Sequence, residues 1–200
     1  AGIADGPPIV PLPPELAPLR DRVLADPIFR HAFDTVPTDI GIVELDRLVV
    51  WQKFIHLSAL DRLKQELGQS PSAEQIFRLC LPFDHPQPPI SYLRSDRETF
   101  VFASPSNDIR FLEAAILEPG QIVGYPPPGA VAGVVAVMLG FGSNFLNVVH
   151  ADNRLVLLNG SHRAFTLRSL GITHAPCIIQ HVSGPDELTA AATGDVRRNP

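Results

Sequence analysis

The densest run of groups suited to holding an anion in this chain of 200 residues is Gly160-Ser161-His162-Arg163. An apolar strand, Leu155 to Leu158, leads into it. A helix is expected beyond it, with Ala164, Phe165, Leu167 and Leu170 on one side and Gly171 as its stop. Ser161 is the expected helix cap. A helix that opens just after a glycine turn presents unpaired amide protons and the positive end of its dipole, and a residue without Cβ lets a ligand approach the backbone closely. Arg163 adds a planar fork of donors, His162 a titratable donor and Ser161 a hydroxyl, so phosphate is the natural ligand of these four positions. The same residues also fit an ordinary strand–turn–helix in which serine caps and Arg and His solvate the surface.

The other chemistry-bearing residues are scattered. His150, His162, His174 and His181 lie in the C-terminal half, but no H-x-H or HExxH spacing occurs, so a protein-held metal is not expected. The two cysteines, Cys80 and Cys177, have no CxxC spacing, which argues against a disulfide framework or structural zinc. Gly140-Phe141-Gly142 lacks the third glycine of a dinucleotide fingerprint, because Phe145 stands where it is needed. In Val-Val-Trp-Gln-Lys-Phe-Ile, the aromatic residues Trp51 and Phe54 read as core, leaving Gln52 and Lys53 as the polar candidates, with Lys53 able to reach a phosphate.

Composition narrows the function classes. With 45% hydrophobic and 18% charged residues, the chain has material for a real core and too little charge for disorder, so a soluble globule is expected. A net charge of −5 argues against broad binding to nucleic acid, which needs Lys and Arg against phosphates. The longest apolar stretch, Ala130 to Phe141, falls short of the ~20 residues of a membrane span, and no export signal is visible, so a cytoplasmic protein without a membrane partner is expected.

The elements that must position these residues follow from periodicity and punctuation. The Pro- and Gly-rich first dozen residues form an extended arm, and apolar spacing from Glu15 to Phe33 gives two short helices broken at Pro27, together an accessory segment over residues 1–39. Ile40 to Val50 is strand-like. A helix runs from Leu57 to Leu67, stopped by Gly68, and a second starts at the capping box Ser72 to Gln75 and ends near Leu81, before a stiff connector over Pro82 to Pro89. Thr99 to Ala103 and Ile109 to Leu117 are expected to pair as a hairpin across a turn-rich break; Gly120 to Gly129 is a loop and Val131 to Leu139 a buried strand. Phe145 to Val149 and Leu155 to Leu158 flank a tight turn, and the chain closes on Arg197-Arg198-Asn199-Pro200, which reads as a frayed end.

The run from Phe145 to His181, centred on Leu-Val-Leu-Leu-Asn-Gly-Ser-His-Arg, resembles the ParB/sulfiredoxin superfamily, in which a strand, a Gly-x-His-Arg or Gly-Glu-Arg-Arg turn, a helix, a glycine and a Pro-led strand follow one another. A weaker echo, Ile42 to Lys53, resembles that superfamily's opening strand. The resemblance implies an α+β fold with a small mixed sheet surrounded by helices over residues 40–200. It also implies that Gly160, Ser161, His162 and Arg163 hold the phosphates of ATP, ADP or CTP, with Mg²⁺ carried by those phosphates. Ser161 stands where sulfiredoxins carry their reactive cysteine, so sulfinic-acid repair is not expected. Ser-His replaces the Glu-Arg of the partition proteins and no DNA-reading domain follows, so sequence-specific DNA binding is not expected either. A kinase branch implies Glu44 or Asp46 as general base, with His162 stabilising charge and a small hydroxyl compound or water as acceptor. The competing expectation is a non-catalytic module that contacts a protein partner.

Overall fold

The structure, a computed structural model, describes residues 8–83, 88–106, 109–124 and 129–191. Among these, β1 (Val10–Pro11), α1 (Ala17–Ala25), α2 (Pro27–Ala32), β2 (Thr38–Glu44), β3 (Leu48–Val50), α3 (Leu57–Leu67) and α4 (Ala73–Cys80) come first. They are followed by β4 (Ser91–Arg94), β5 (Phe100–Ala103), β6 (Ile109–Leu117), β7 (Val134–Phe141), β8 (Asn147–Ala151), β9 (Arg154–Asn159), α5 (Ser161–Ser169), β10 (His174–His181) and α6 (Pro185–Ala191). The chain divides into two compact units, one built from residues 1–85 and 143–200, the other from 86–142. The expected break near residue 39 is therefore not where the chain divides. Leu16, Val23, Phe29 and Phe33, from the segment expected to be an accessory, are buried in the core of the first unit.

The first unit is α+β. Its six-stranded mixed sheet has the order β1-β2-β10-β8-β9-β3, with β10–β8 and β9–β3 parallel and the other pairs antiparallel. The central strands are covered on both faces: Val148 and Val149 on β8, and Ile178 and Ile179 on β10, are all fully buried. The stretch expected as one strand over residues 40–50 is two, because the one-turn 3-10 helix Leu45–Arg47 breaks it. The four Cα–Cα steps from Glu44 to Leu48 span at most about 15 Å, whereas four strand spacings in a flat sheet are about 19 Å. The sheet must therefore curl for β2 to reach β3 on its far edge.

Local chemistry explains several boundaries. Asp26 accepts from the amide of Ile28 and caps α2, while Ser72 and Gln75 form the reciprocal capping box that opens α4. Asp152 and Asn153 take positive φ values of 46° and 61°, the mirror-image turn that suits the twist of the β8–β9 hairpin.

In the second unit, β5 pairs with β4 and β6 with β7, so the expected β5–β6 hairpin does not form. The turn composition between those strands marks a break but carries no information about partners. The expected buried strand at 131–139 is placed slightly later, at β7, and is not buried: Val135 and Val137 are exposed. The connector at 82–89 and the loop at 120–129 lie partly, and residues 197–200 wholly, outside the described residues.

Candidate functional site

Strands β9 and β3 run parallel in the register Val50 to Leu157, so the chain leaves both strands in the same direction. From β9 it enters the Gly160 turn and α5. From β3 it runs through Trp51–His56 into α3. These two exits meet: the backbone amide of His56 donates to Nε2 of His162 over 3.1 Å, and the two imidazoles stack with centroids 5.6 Å apart and planes 13° from parallel. Accepting this bond requires a lone pair on Nε2, so His162 is neutral in this arrangement with its proton on Nδ1. Burial, and secondarily the neighbouring His56 ring, hold the His162 pKa below the usual histidine value.

Gly160, rather than the expected Ser161, is the residue that caps α5. It has φ 101° and ψ 19°, and no side chain caps the helix. A Cβ at this position would come within 3.0 Å of the Leu146 side chain and 3.2 Å of its Cα, so both the left-handed backbone and the close approach demand glycine. Ser161 becomes the first residue of the helix. The amide of Ala164 is the first to find the backbone carbonyl of Gly160.

Arg163 departs from the expectation of an exposed phosphate fork. It is 8% exposed, and its Nη1 donates to the carbonyls of Leu79 and Cys80 at 3.3 and 3.2 Å and to that of Asn144. Successive residues of a helix point about 100° apart. The neighbours His162 and Arg163 accordingly face different surroundings, His162 toward the 51–56 segment and Arg163 toward α4. There Arg163 also lines a cleft of about 570 Å³ with Leu63, Leu67, Arg78, Leu79 and Pro82. Its guanidinium ties the opening of α5 to the end of α4 and to the strand entry at Asn144.

The two candidate carboxylates are not brought to the Gly160 turn. Asp46 accepts from Nε of Arg168, in the last turn of α5. Glu44 pairs in register with His174, beyond the same end of the helix, where the amide of Leu45 donates to the carbonyl of Thr173. With about 1.5 Å of rise per residue, the two ends of α5 are about 12 Å apart. Neither acid is within hydrogen-bonding reach of a group held at the helix start.

Lys53 is exposed three residues before His56, in the segment that lies against His162. Trp51 and Phe54 correct the expectation that they are core: they are 37% and 78% exposed. Gln52, the other polar candidate, turns its side-chain amide onto the carbonyl of Phe54 at 2.7 Å and shapes this segment. His56 was not legible as a site residue, because its partner lies 106 positions away.

Two further histidines form a second pair. His150 and His181 face each other with Nδ1 atoms 3.4 Å apart, and Nε2 of His181 is 3.1 Å from Asp39. Burial, then the charge of His181, lowers the His150 pKa. Among the described residues no group of three or more His, Cys, Asp or Glu is arranged to hold a metal ion, and no helix is long and apolar enough to cross a membrane. Cys80 and Cys177 are fully buried. Burial pushes the Cys80 thiol up to about 12 against the opposing pull of Arg163, and raises Cys177 well above its ordinary value.

No family model, curated protein or solved structure matches the chain.

Proposed function

We propose that the first unit is a nucleotide-binding module of ParB/sulfiredoxin-like fold that holds the phosphates of ATP, ADP or CTP at the Gly160 turn. The observation that carries this reading is the meeting of the two chain exits. The glycine-opened start of α5 and the segment Trp51–His56, which carries the exposed Lys53, are joined by the His56–His162 bond, with the two imidazoles stacked. Backbone amides of Ser161 and His162 and the Ser161 hydroxyl would take the phosphate oxygens, with Lys53 supplying charge and the Nδ1 proton of neutral His162 a further donor. Phe54, two residues from His56 and largely exposed, gives a face on which a base can stack, which favours a nucleotide over a bare phosphate. Mg²⁺ would enter with the phosphates, keeping most of its waters.

Arg163 has a supporting part in this reading. By bonding three backbone carbonyls it fixes the helix start before any ligand arrives, so less freedom remains to be lost on binding. Because Asp46 is engaged by Arg168 at the other end of α5, recognition without phosphoryl transfer fits better than a kinase with Glu44 or Asp46 as base.

Calorimetric titration with ATP, ADP and CTP, each with and without Mg²⁺, tests the reading. Binding by the wild type, weakened about tenfold or more in both Lys53→Ala and Phe54→Ala with the fold intact by circular dichroism, is the expected result. No binding of any of the three by the folded wild type removes it.

A further inference from the structure

The second unit carries an apolar face whose composition is set by a single extra residue. Among the described residues, strands β6 and β7 pair only with each other, and the register slips between Phe111 and Glu113, leaving Leu112 as a bulge. Along β7, Val135, Val137, Leu139 and Phe141 point to one side and Val134, Ala136, Met138 and Gly140 to the other. Across the ladder these first four face Ile116, Ala114, Phe111 and Ile109. Without the bulge, strict alternation along β6 would put Glu113 on the same side as Ile109 and Phe111. With it, Arg110 and Glu113 both fall on the opposite side. Leu112 folds over Gly140, where a Cβ would come within 2.7 Å of its Cδ1, and so also leaves the first side.

The result is eight apolar side chains and no charge on one face of a two-stranded ribbon. Ile116 is 83% exposed, Val135 69%, and Phe111 and Val137 59% each. Ala114 is also exposed, and Ile109, Leu139 and Phe141 are half-buried. Taking about 170 Å² for a large apolar side chain, the face offers roughly 600 Å² of surface, at the top of the range for the largest patch on a monomer. A lone two-stranded ribbon is marginal in water, and β7 has neither a charge nor a proline to blunt its free edge.

We propose that this face is a self-association surface, on which the β6–β7 ribbons of two copies of the chain pack face to face. The occupant is argued from area and charge. Two such faces bury about 1,200 Å² together, which reaches the lower bound of specific interfaces and matches the apolar character of homodimer contacts. A face without any charge gives a charged partner nothing to pair with. Two sheets stacked at about 10 Å also let the small Ala114 of one copy receive a branched side chain of the other.

Sedimentation equilibrium of the full chain at up to roughly 100 μM tests this. The wild type is expected at twice its 21.7 kDa mass. Ile116→Lys and Val137→Lys are each expected to give monomers with unchanged circular dichroism. Met138→Lys puts the same charge on the neighbouring position of the same strand but on the other face, and is expected to remain dimeric. A monomeric wild type, a dimer that survives both face substitutions, or a dimer that Met138→Lys disrupts equally would each overturn the proposal.

Discussion

Replacing Arg163 separates the two roles that its chemistry allows. In Arg163→Met the aliphatic stem is retained while the guanidinium is lost, so the change isolates the hydrogen bonds. Three carbonyls lose a charged donor. Cys80 keeps the amide of Leu146 at 2.7 Å, whereas Leu79 and Asn144, which line the cleft beside Arg163, lose this partner. A hydrogen bond from a charged donor contributes about 1.5–3 kcal/mol, so a loss of about 3 kcal/mol is expected from a total stability of about 5–15 kcal/mol. In a chain of this length that corresponds to a fall in Tm of about 6–12 °C. Arg163→Lys keeps a charge but offers a compact ammonium in place of a fork, and should recover about half of the loss. Urea unfolding followed by circular dichroism measures both variants. A stability for Arg163→Met within about 0.5 kcal/mol of wild type would refute the argument, since surface groups behave that way and a buried carbonyl clamp does not.

Three further outcomes follow from the same geometry. Gly160→Ala forces a Cβ into a left-handed backbone and against Leu146, and should cost about 2–4 kcal/mol by urea unfolding. His162 and His150 have folded-state pKa values below the unfolded value of about 6.5, so the unfolded chain binds protons first. Their contribution is complete above about pH 6.5 and is lost as pH falls through the folded-state values; urea midpoints should therefore decline on acidification, and less steeply in His150→Asn/His162→Asn. Cys80 and Cys177, buried with raised pKa values, should resist an aromatic disulfide reagent at pH 8 in the native protein and react together on unfolding.

What could be read from the sequence was whatever depends on neighbours. The helix Leu57–Leu67 and the capping box at Ser72 are local statements about spacing and orphan amides, and the structure has both. The turn at Asp152–Asn153 is equally local, since those two residue types tolerate positive φ. Strand partnership is different. Nothing within Thr99–Ala103 says that it pairs with Ser91–Arg94 rather than with the next strand, and nothing in Leu45–Arg47 distinguishes a helical turn from three more strand residues. Those choices are settled by long-range burial: Leu45 enters the core while its amide bonds Thr173, and this ends β2 and redirects the chain to the far edge of the sheet.

The candidate site shows the same division within four residues. The conformational demand at Gly160 was legible, because only a residue without Cβ suits a sharp bend from strand to helix. Treating Ser161, His162 and Arg163 as one set of ligands was not justified by helix geometry, since adjacent helical side chains diverge by about 100° and cannot all converge on one anion. The divergence assigns His162 to the 51–56 segment and Arg163 to backbone carbonyls. Trp51 and Phe54 fail in the complementary way. Apolar neighbours suggested a core strand, but β3 ends at Val50 on the sheet edge, so the following residues have no second layer to enter and remain exposed. An arginine read as surface and a phenylalanine read as core thus exchange places for one reason: the strand ends on either side of them decide which way each segment leaves the sheet, and that is a property of pairing rather than of residue type.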